Sequence, residues 1–199
     1  ATQAATNQYP GATKTSNTLT VSIGTPTLSA STFSVPDTKV YGDASFNITT
    51  RPTSNSTSAI TYSSSNTSVA TIDASGNWIT LVSAGDATFT ATQVAVTGQF
   101  AGATKTSNTL AVSLGTPNLS ASTFSVSDTK VYGDASFNII TRPTSNSSGA
   151  ITYASSNTGV ATIDASGNWI TIVGTGDVSF NATQAAVTGQ FTSATKASN

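Results

Sequence analysis

Acid-base and nucleophilic chemistry near neutral pH usually recruits His, Cys, Glu, Lys or a perturbed Asp, and this sequence contains no histidine, cysteine or glutamate. Its acids are all aspartates, four of them at positions 37, 43, 73 and 86, where turns or strand ends let Asp satisfy nearby backbone. That inventory argues against an enzyme. Calcium is the metal to weigh, because hard cations take clustered carboxylate and carbonyl oxygens. Asp37 and Asp43 flank one turn, and Asp128 and Asp134 flank its copy. No Asp-x-Asp-x-Asp-Gly loop occurs, so these four read first as solvated or paired surface charges and no cofactor is expected. Trp78 and Trp169 are the other candidates, either as platforms on which a sugar ring stacks or as contact aromatics at a bead-bead or strand-strand junction.

The element that must position these residues is a repeat. Residues 60–93, ITYSSSNTSVATIDASGNWITLVSAGDATFTATQ, return almost unchanged as residues 151–184. Within the stretch Ala87, Phe89 and Ala91 alternate with Asp86, Thr88, Thr90 and Thr92, the period of a half-buried strand. Ile60 and Tyr62, Ala70 and Ile72, then Ile79 and Leu81 repeat that spacing, separated by Ser65-Asn66-Thr67, by Ala74-Ser75-Gly76-Asn77 and by Gly85. Four short strands in about thirty residues suggest an antiparallel meander.

The order Tyr-x-Ser-Ser-Asn, Val-Ala-Thr-Ile-Asp, a glycine turn, a short apolar strand and Ala-Gly-Asp-Ala-Thr-Phe-Thr-Ala resembles the bacterial Ig-like domain, group 2. It departs from that family in the lengthened segment at Asn77-Trp78 and in Tyr62, which stands where the family often has Trp. The resemblance implies a β-sandwich scaffold of adhesins, surface-layer proteins and phage or virus structural proteins, without implying a ligand. Bacterial adhesin beads also carry internal Lys-Asn isopeptide bonds, for which Lys39 and Asn108 are conceivable partners.

The repeat extends beyond that stretch. Asp43 aligns with Asp134, a spacing of 134 minus 43, or 91 residues, and every charge obeys it, as do Phe33, Tyr41, Phe46, Tyr62, Trp78 and Phe89. A period of that length with short alternating strands predicts an all-β array of tandem Ig-like antiparallel β-sandwiches, too long per unit for a solenoid. Without cysteine, each bead must be stabilised by its core. Ser and Thr make up about a third of the chain, and 7 basic residues nearly balance 8 acidic ones. Polarity with so little charge suits an extracellular, cell-surface or virion-surface fibre, and argues against nucleic acid and membrane insertion as partners.

The joints Gly24-Thr25-Pro26 and Gly115-Thr116-Pro117 set the frame. Residues 25–115 form one whole bead, and residues 1–24 read as the last strands of a preceding bead or as a donor segment. Residues 116–199 form a bead that lacks its last strand, the counterpart of Leu110, Val112 and Leu114. The absence of methionine suggests a processed product or an excerpt of something longer. Leu19, Val21 and Ile23 carry the pattern of the missing strand. Either the sequence is a window cut from a longer array, or these residues complete the second bead of a neighbouring subunit. The expected function is therefore that of a structural repeat protein whose partners are identical subunits or neighbouring repeats. The alternative is an adhesin segment that recognises a glycan or a surface receptor.

Overall fold

A computed structural model describes all 199 residues, and apart from two 3-10 turns, Thr27–Ala30 and Asn118–Ala121, its regular structure is β. The chain opens with an exposed hairpin of β1 (Thr2–Gln3) and β2 (Ala12–Thr13), in which Thr2 faces Thr13 and Gln3 faces Ala12. The first bead follows with β3 (Thr38–Val40), β4 (Ile60–Ser64), β5 (Ala70–Ile72), β6 (Ile79–Leu81), β7 (Gly85–Ala87), β8 (Phe89–Gln93), β9 (Ala103–Thr106) and β10 (Leu110–Ser113). The second bead has β11 (Ile151–Ser155), β12 (Ala161–Ile163), β13 (Ile170–Ile172), β14 (Phe180–Gln184) and β15 (Ala194–Ala197).

In the first bead, strands β4, β8 and β9 form one antiparallel sheet, with β8 in the middle. A second sheet has β10 at its centre, antiparallel to β7 and parallel to β3. The β5-β6 hairpin completes the sandwich, extended by a bridge from Phe46 to Ile79. Inward residues of all three units, among them Tyr62, Ala70, Ile79, Ala87, Phe89, Leu110 and Val112, share one core of 12 buried residues.

This arrangement differs from the expected meander. The alternating run at residues 86–92 is two strands, because the chain leaves one sheet and enters the other at Thr88, whose amide is held by the Ser65 hydroxyl. Strand β4 pairs with β8 instead of β5. Alternation tells which side of a strand faces the core but not which strand lies beside it, and an apolar face on one sheet is covered only by a second layer.

The repeated aromatic and aliphatic residues divide by layer. Phe33, Tyr62 and Phe89 are buried, as are Phe124, Tyr153 and Phe180. Phe46, Ile72 and Leu81 are half-buried, and so are Phe137, Ile163 and Ile172. The second group belongs to two-stranded hairpins or their flanks, which have no third strand to cover the outer side. Lysine stems cover part of it, with Lys39 Nζ 4.9 Å from the Phe46 ring centroid and Lys130 Nζ 4.8 Å from that of Phe137.

The second bead reproduces the sheet β11-β14-β15 and the hairpin β12-β13. Segments 129–131 and 176–178, which match β3 and β7 in sequence, are not strands there. The difference follows from β10, since β3 and β7 pair only with it and never with each other. The core is correspondingly smaller, with 8 buried residues.

Candidate functional site

The groove of the second bead lies where β10 sits in the first. It has a volume of about 390 Å³ and runs between residues 126–130 on one side and 174–178 on the other. Phe137, Val160, Ala161, Ile172 and Phe180 form its apolar floor, while Asp128, Lys130 and Asp177 stand among its lining residues. Its rims are open to solvent: Val131 is 71% exposed, against 43% for Val40, which is paired with β10 in the first bead.

The first bead gives the geometry of a filled groove. Leu110 and Val112 are buried there and the intervening Ala111 is exposed. Leu110 faces Ala87, Ala111 faces Asp86 and Val112 faces Gly85 across the antiparallel pairing, while on the parallel side Val112 faces Lys39. A strand with apolar side chains at alternate positions thus seals the core and satisfies two rows of backbone groups.

At the other end of the chain, Leu19, Val21 and Ile23 are 84%, 83% and 62% exposed. They share the alternation of β10, yet cover nothing in this chain. The hairpin before them keeps the register of a bead: Thr2 opposite Thr13 and Gln3 opposite Ala12 parallel Thr92 opposite Thr104 and Gln93 opposite Ala103.

The candidate metal residues are engaged otherwise. Asp37 Oδ1 accepts a hydrogen bond from Asn108 Nδ2 at 2.6 Å, and Asp128 accepts one from Asn199. Asp43 Oδ2 accepts from the Val40 amide and Asp134 Oδ2 from the Val131 amide, each at 3.1 Å, so both close their own turns. No group of three or more acidic, histidine or cysteine side chains converges anywhere in the chain. Trp78 and Trp169 are exposed, and Trp169 borders an open depression with Asn138, Arg142 and Asn168.

Three structural side-chain roles escaped the sequence reading. Asn108 accepts from the Val35 amide at 2.8 Å and donates to the Val35 carbonyl at 2.9 Å, mimicking a strand partner; this fixes the amide that had been considered for a bond to Lys39. Gln93 is buried, accepts from Ser54 Oγ at 2.5 Å and donates to the carbonyls of Ser56 and Ser58. Arg51 donates to the Ser75 and Gly76 carbonyls and to Asn77 Oδ1, fastening the glycine turn over Tyr62. In that turn desolvation pushes the Asp73 carboxyl upward. Hydrogen bonds from the Asn77 amide, the Ser75 hydroxyl and the Trp78 and Gly76 amides outweigh it and hold the group below its ordinary range. The spacing Asp73-x-Ser75-Gly76-Asn77 was the available signal for this turn, and the repeated Gln was the signal for the buried amide.

No helix is long and apolar enough to cross a membrane. Residues 32–107 match the family model of the bacterial Ig-like domain (group 2), and residues 138–186 that of the intimin, immunoglobulin-like domain. Among proteins of curated function, none matches the chain. Similar solved structures include mouse cadherin-23 EC22-24, at 13% identity over 87% of this chain and 65% of that one, with a TM-score of 0.30. Human protocadherin-24 EC1-2 (form II) is 11% identical over 85% of this chain and 96% of that one, with a TM-score of 0.33. The C-terminal 282-residue fragment of intimin, solved in complex with the intimin-binding domain of the translocated intimin receptor, is 17% identical over 73% of this chain and 52% of that one, with a TM-score of 0.25. The chain spans less than two thirds of the cadherin-23 and intimin chains. The resemblance carried by residues 60–93 therefore holds: residues 32–107 match the bacterial Ig-like domain of group 2, and residues 138–186 match a second immunoglobulin-like model.

Proposed function

We propose that the chain is a structural element of an extracellular or virion-surface fibre, stalk or appendage, without enzymatic activity. Residues 25–115 act as a complete bead, residues 116–199 as a bead that accepts a strand, and residues 1–24 as the segment that supplies one. Beads continue head to tail through β-strand complementation, with the donated strand coming from an identical subunit or from a neighbouring repeat of the same chain. One observation carries this reading: the groove of the second bead lies between residues 126–130 and 174–178, the counterparts of the segments that β10 joins in the first, and residues 18–23 repeat the alternation of β10 in an exposed segment. The test is Val21→Asp. A charge carried into an apolar groove should abolish assembly, while the first bead, which Val21 does not contact as core, keeps its unfolding transition. Normal assembly of the variant, followed by sedimentation, would refute strand complementation by this segment.

A second reading, an adhesin segment that binds a glycan or surface receptor, is favoured by the exposure of Trp78 and Trp169. It predicts that neutral oligosaccharides shift the tryptophan fluorescence, and that Trp169→Ala removes half of the response; no shift with any sugar rules it out for glycans.

A further inference from the structure

Residues 29–41, near the start of the first bead, lie along residues 105–113, near its end, and the two segments run in the same direction. Their ties advance together in sequence. Lys105 Nζ donates to the Ser29 carbonyl at 3.1 Å. Asn108 accepts from the Val35 amide and donates to the Val35 carbonyl, and its Nδ2 also reaches Asp37 Oδ1 at 2.6 Å. The Ala111 amide donates to the Asp37 carbonyl at 2.9 Å. Then β3 and β10 pair in parallel, Thr38 with Ala111, Lys39 with Val112 and Val40 with Ser113. The Tyr41 amide closes the seam by donating to the Ser113 carbonyl at 2.8 Å. The second bead repeats the opening of this seam: Lys196 Nζ donates to the Ser120 carbonyl at 3.1 Å, and Asn199 accepts from the Val126 amide at 2.8 Å.

The direction of the seam sets how it meets tension. The chain enters the first bead ahead of Ser29 and leaves it after Ser113, so a pull between residues 1–24 and the second bead draws β3 back toward its N-terminal end and β10 on toward its C-terminal end. In parallel strands those two displacements are opposite and lie along the strands. The ties from Ser29 to Tyr41 are then strained together and share the load. In an antiparallel pair pulled from adjoining ends, by contrast, the ladder opens one pair at a time. Strands β4 and β8 offer that case, since Ile60 at the start of one lies opposite Gln93 at the end of the other.

Sliding offers no easier route. Leu110 and Val112 are buried and Ala111 is exposed, so a slip of one residue would turn both apolar side chains to solvent. The next register that keeps them inside is two residues away, roughly 7 Å along the strand, beyond the reach of any hydrogen bond in the seam.

We infer that the seam between residues 29–41 and 105–113 is a load-bearing clamp, which gives the first bead the further function of withstanding tension along the chain. This deepens and rests on the reading of the chain as a fibre or stalk element, though not on strand donation, because the clamp lies wholly within one bead.

The absence of cysteine lets a single chain be held at two chosen positions for force spectroscopy. Handles at Thr25→Cys and Thr116→Cys load the seam lengthwise, and handles at Ala59→Cys and Val94→Cys peel β4 from β8; all four positions are exposed. At one loading rate, the rupture force along 25–116 should be several times that along 59–94. Released length identifies each event, because the handles stand 116 minus 25, or 91, residues apart in one chain and 94 minus 59, or 35, in the other. Asn108→Ala should lower the first force and leave the second unaltered, and the persisting second peak shows that the bead is folded. Equal forces in the two directions, or an unaltered 25–116 force in Asn108→Ala, overturn the clamp. The comparison of directions uses surface handles alone, so it decides even where Asn108→Ala does not fold. Unequal forces in a chain that forms no fibre would sink the fibre reading and keep the clamp, whereas equal forces in a chain that assembles would do the reverse.

Discussion

Leu110 and Leu19 occupy the same local sequence, Thr-Leu-x-Val-Ser, yet Leu110 is buried in the middle of the first bead while Leu19 is 84% exposed. Truncating each to alanine therefore separates the effect of sequence from that of placement. Leu110→Ala removes a side chain that packs with Ala87 and the shared core, and should destabilise the first bead by about 2 to 5 kcal/mol. Leu19→Ala should leave the stability of the single chain within about 0.5 kcal/mol of the parent, as exposed substitutions usually do. When residues 18–23 fill a groove, the same truncation forfeits the burial of a leucine, about 1.5 to 3 kcal/mol, which weakens association about 10- to 150-fold. Urea unfolding in a Trp169→Phe background leaves Trp78 as the reporter of the first bead, and analytical ultracentrifugation reads association. The reasoning is refuted if Leu19→Ala costs the isolated chain as much as Leu110→Ala does, or if it leaves association unaltered.

Further outcomes are open to measurement. Gly76→Ala should destabilise the first bead by about 2 to 5 kcal/mol, because φ is +70° and a Cβ would lie 2.6 Å from the Tyr62 ring. Gly98→Ala, with a φ of +72° and no neighbour within 4 Å, should cost only the backbone part, about 1 to 2 kcal/mol; equal losses in denaturant titrations would discredit the packing argument. Asp73 has its folded pKa held below the unfolded value, so its contribution is present above the ordinary carboxylate range and is lost as pH falls through the lowered folded value. Asp73→Asn should flatten that acid-side slope in melting temperature, and an unchanged slope would show that the turn is not its source. A chelator should leave melting unchanged, since Asp37 is tied to Asn108 and Asp43 to its own turn; a drop of many degrees would revive a calcium site there.

What the sequence disclosed, and what it withheld, follows from the range of each physical rule. The alternation of Ala87, Phe89 and Ala91 reports a local property, which side of a strand is apolar, and all three side chains are buried. Strand pairing is a non-local property, so nothing in residues 60–93 told that β4 lies against β8, or that Thr88 marks a change of sheet. Gln93 is polar yet buried, and three hydrogen bonds in the loop of Ser54, Ser56 and Ser58, which only the fold brings to it, offset the cost of its burial. Asn108, named from the sequence as a partner for Lys39, is brought by the fold to the backbone of Val35, far away in sequence. The candidate assembly strand was legible because it duplicates a pattern found elsewhere in the chain. Where a strand of that pattern lies within a bead shows only in the pairing of the first, with β10 between β3 and β7.

The polarity of the two-bead array follows from the two ends of a bead. In the first bead, loop 98–101 receives Gly24 at one end, while Tyr41, Ala84 and Gly115 lie together at the other and face the second bead. A bead therefore presents different surfaces at its two ends, a loop that accepts and a sheet end that inserts. A joint between unlike surfaces has no two-fold axis to pair it off, so one bead uses each surface towards a different neighbour. The open rims of the groove create a further demand, since unpaired strand-like segments recruit any edge that fits. A strand standing there as β10 stands in the first bead would run parallel to residues 129–131, antiparallel to residues 176–178, and put apolar side chains on the inner face alone. Within this chain residues 18–23 meet that pattern, and Lys130 and Asp177 at the rims disfavour an occupant with charges facing inward.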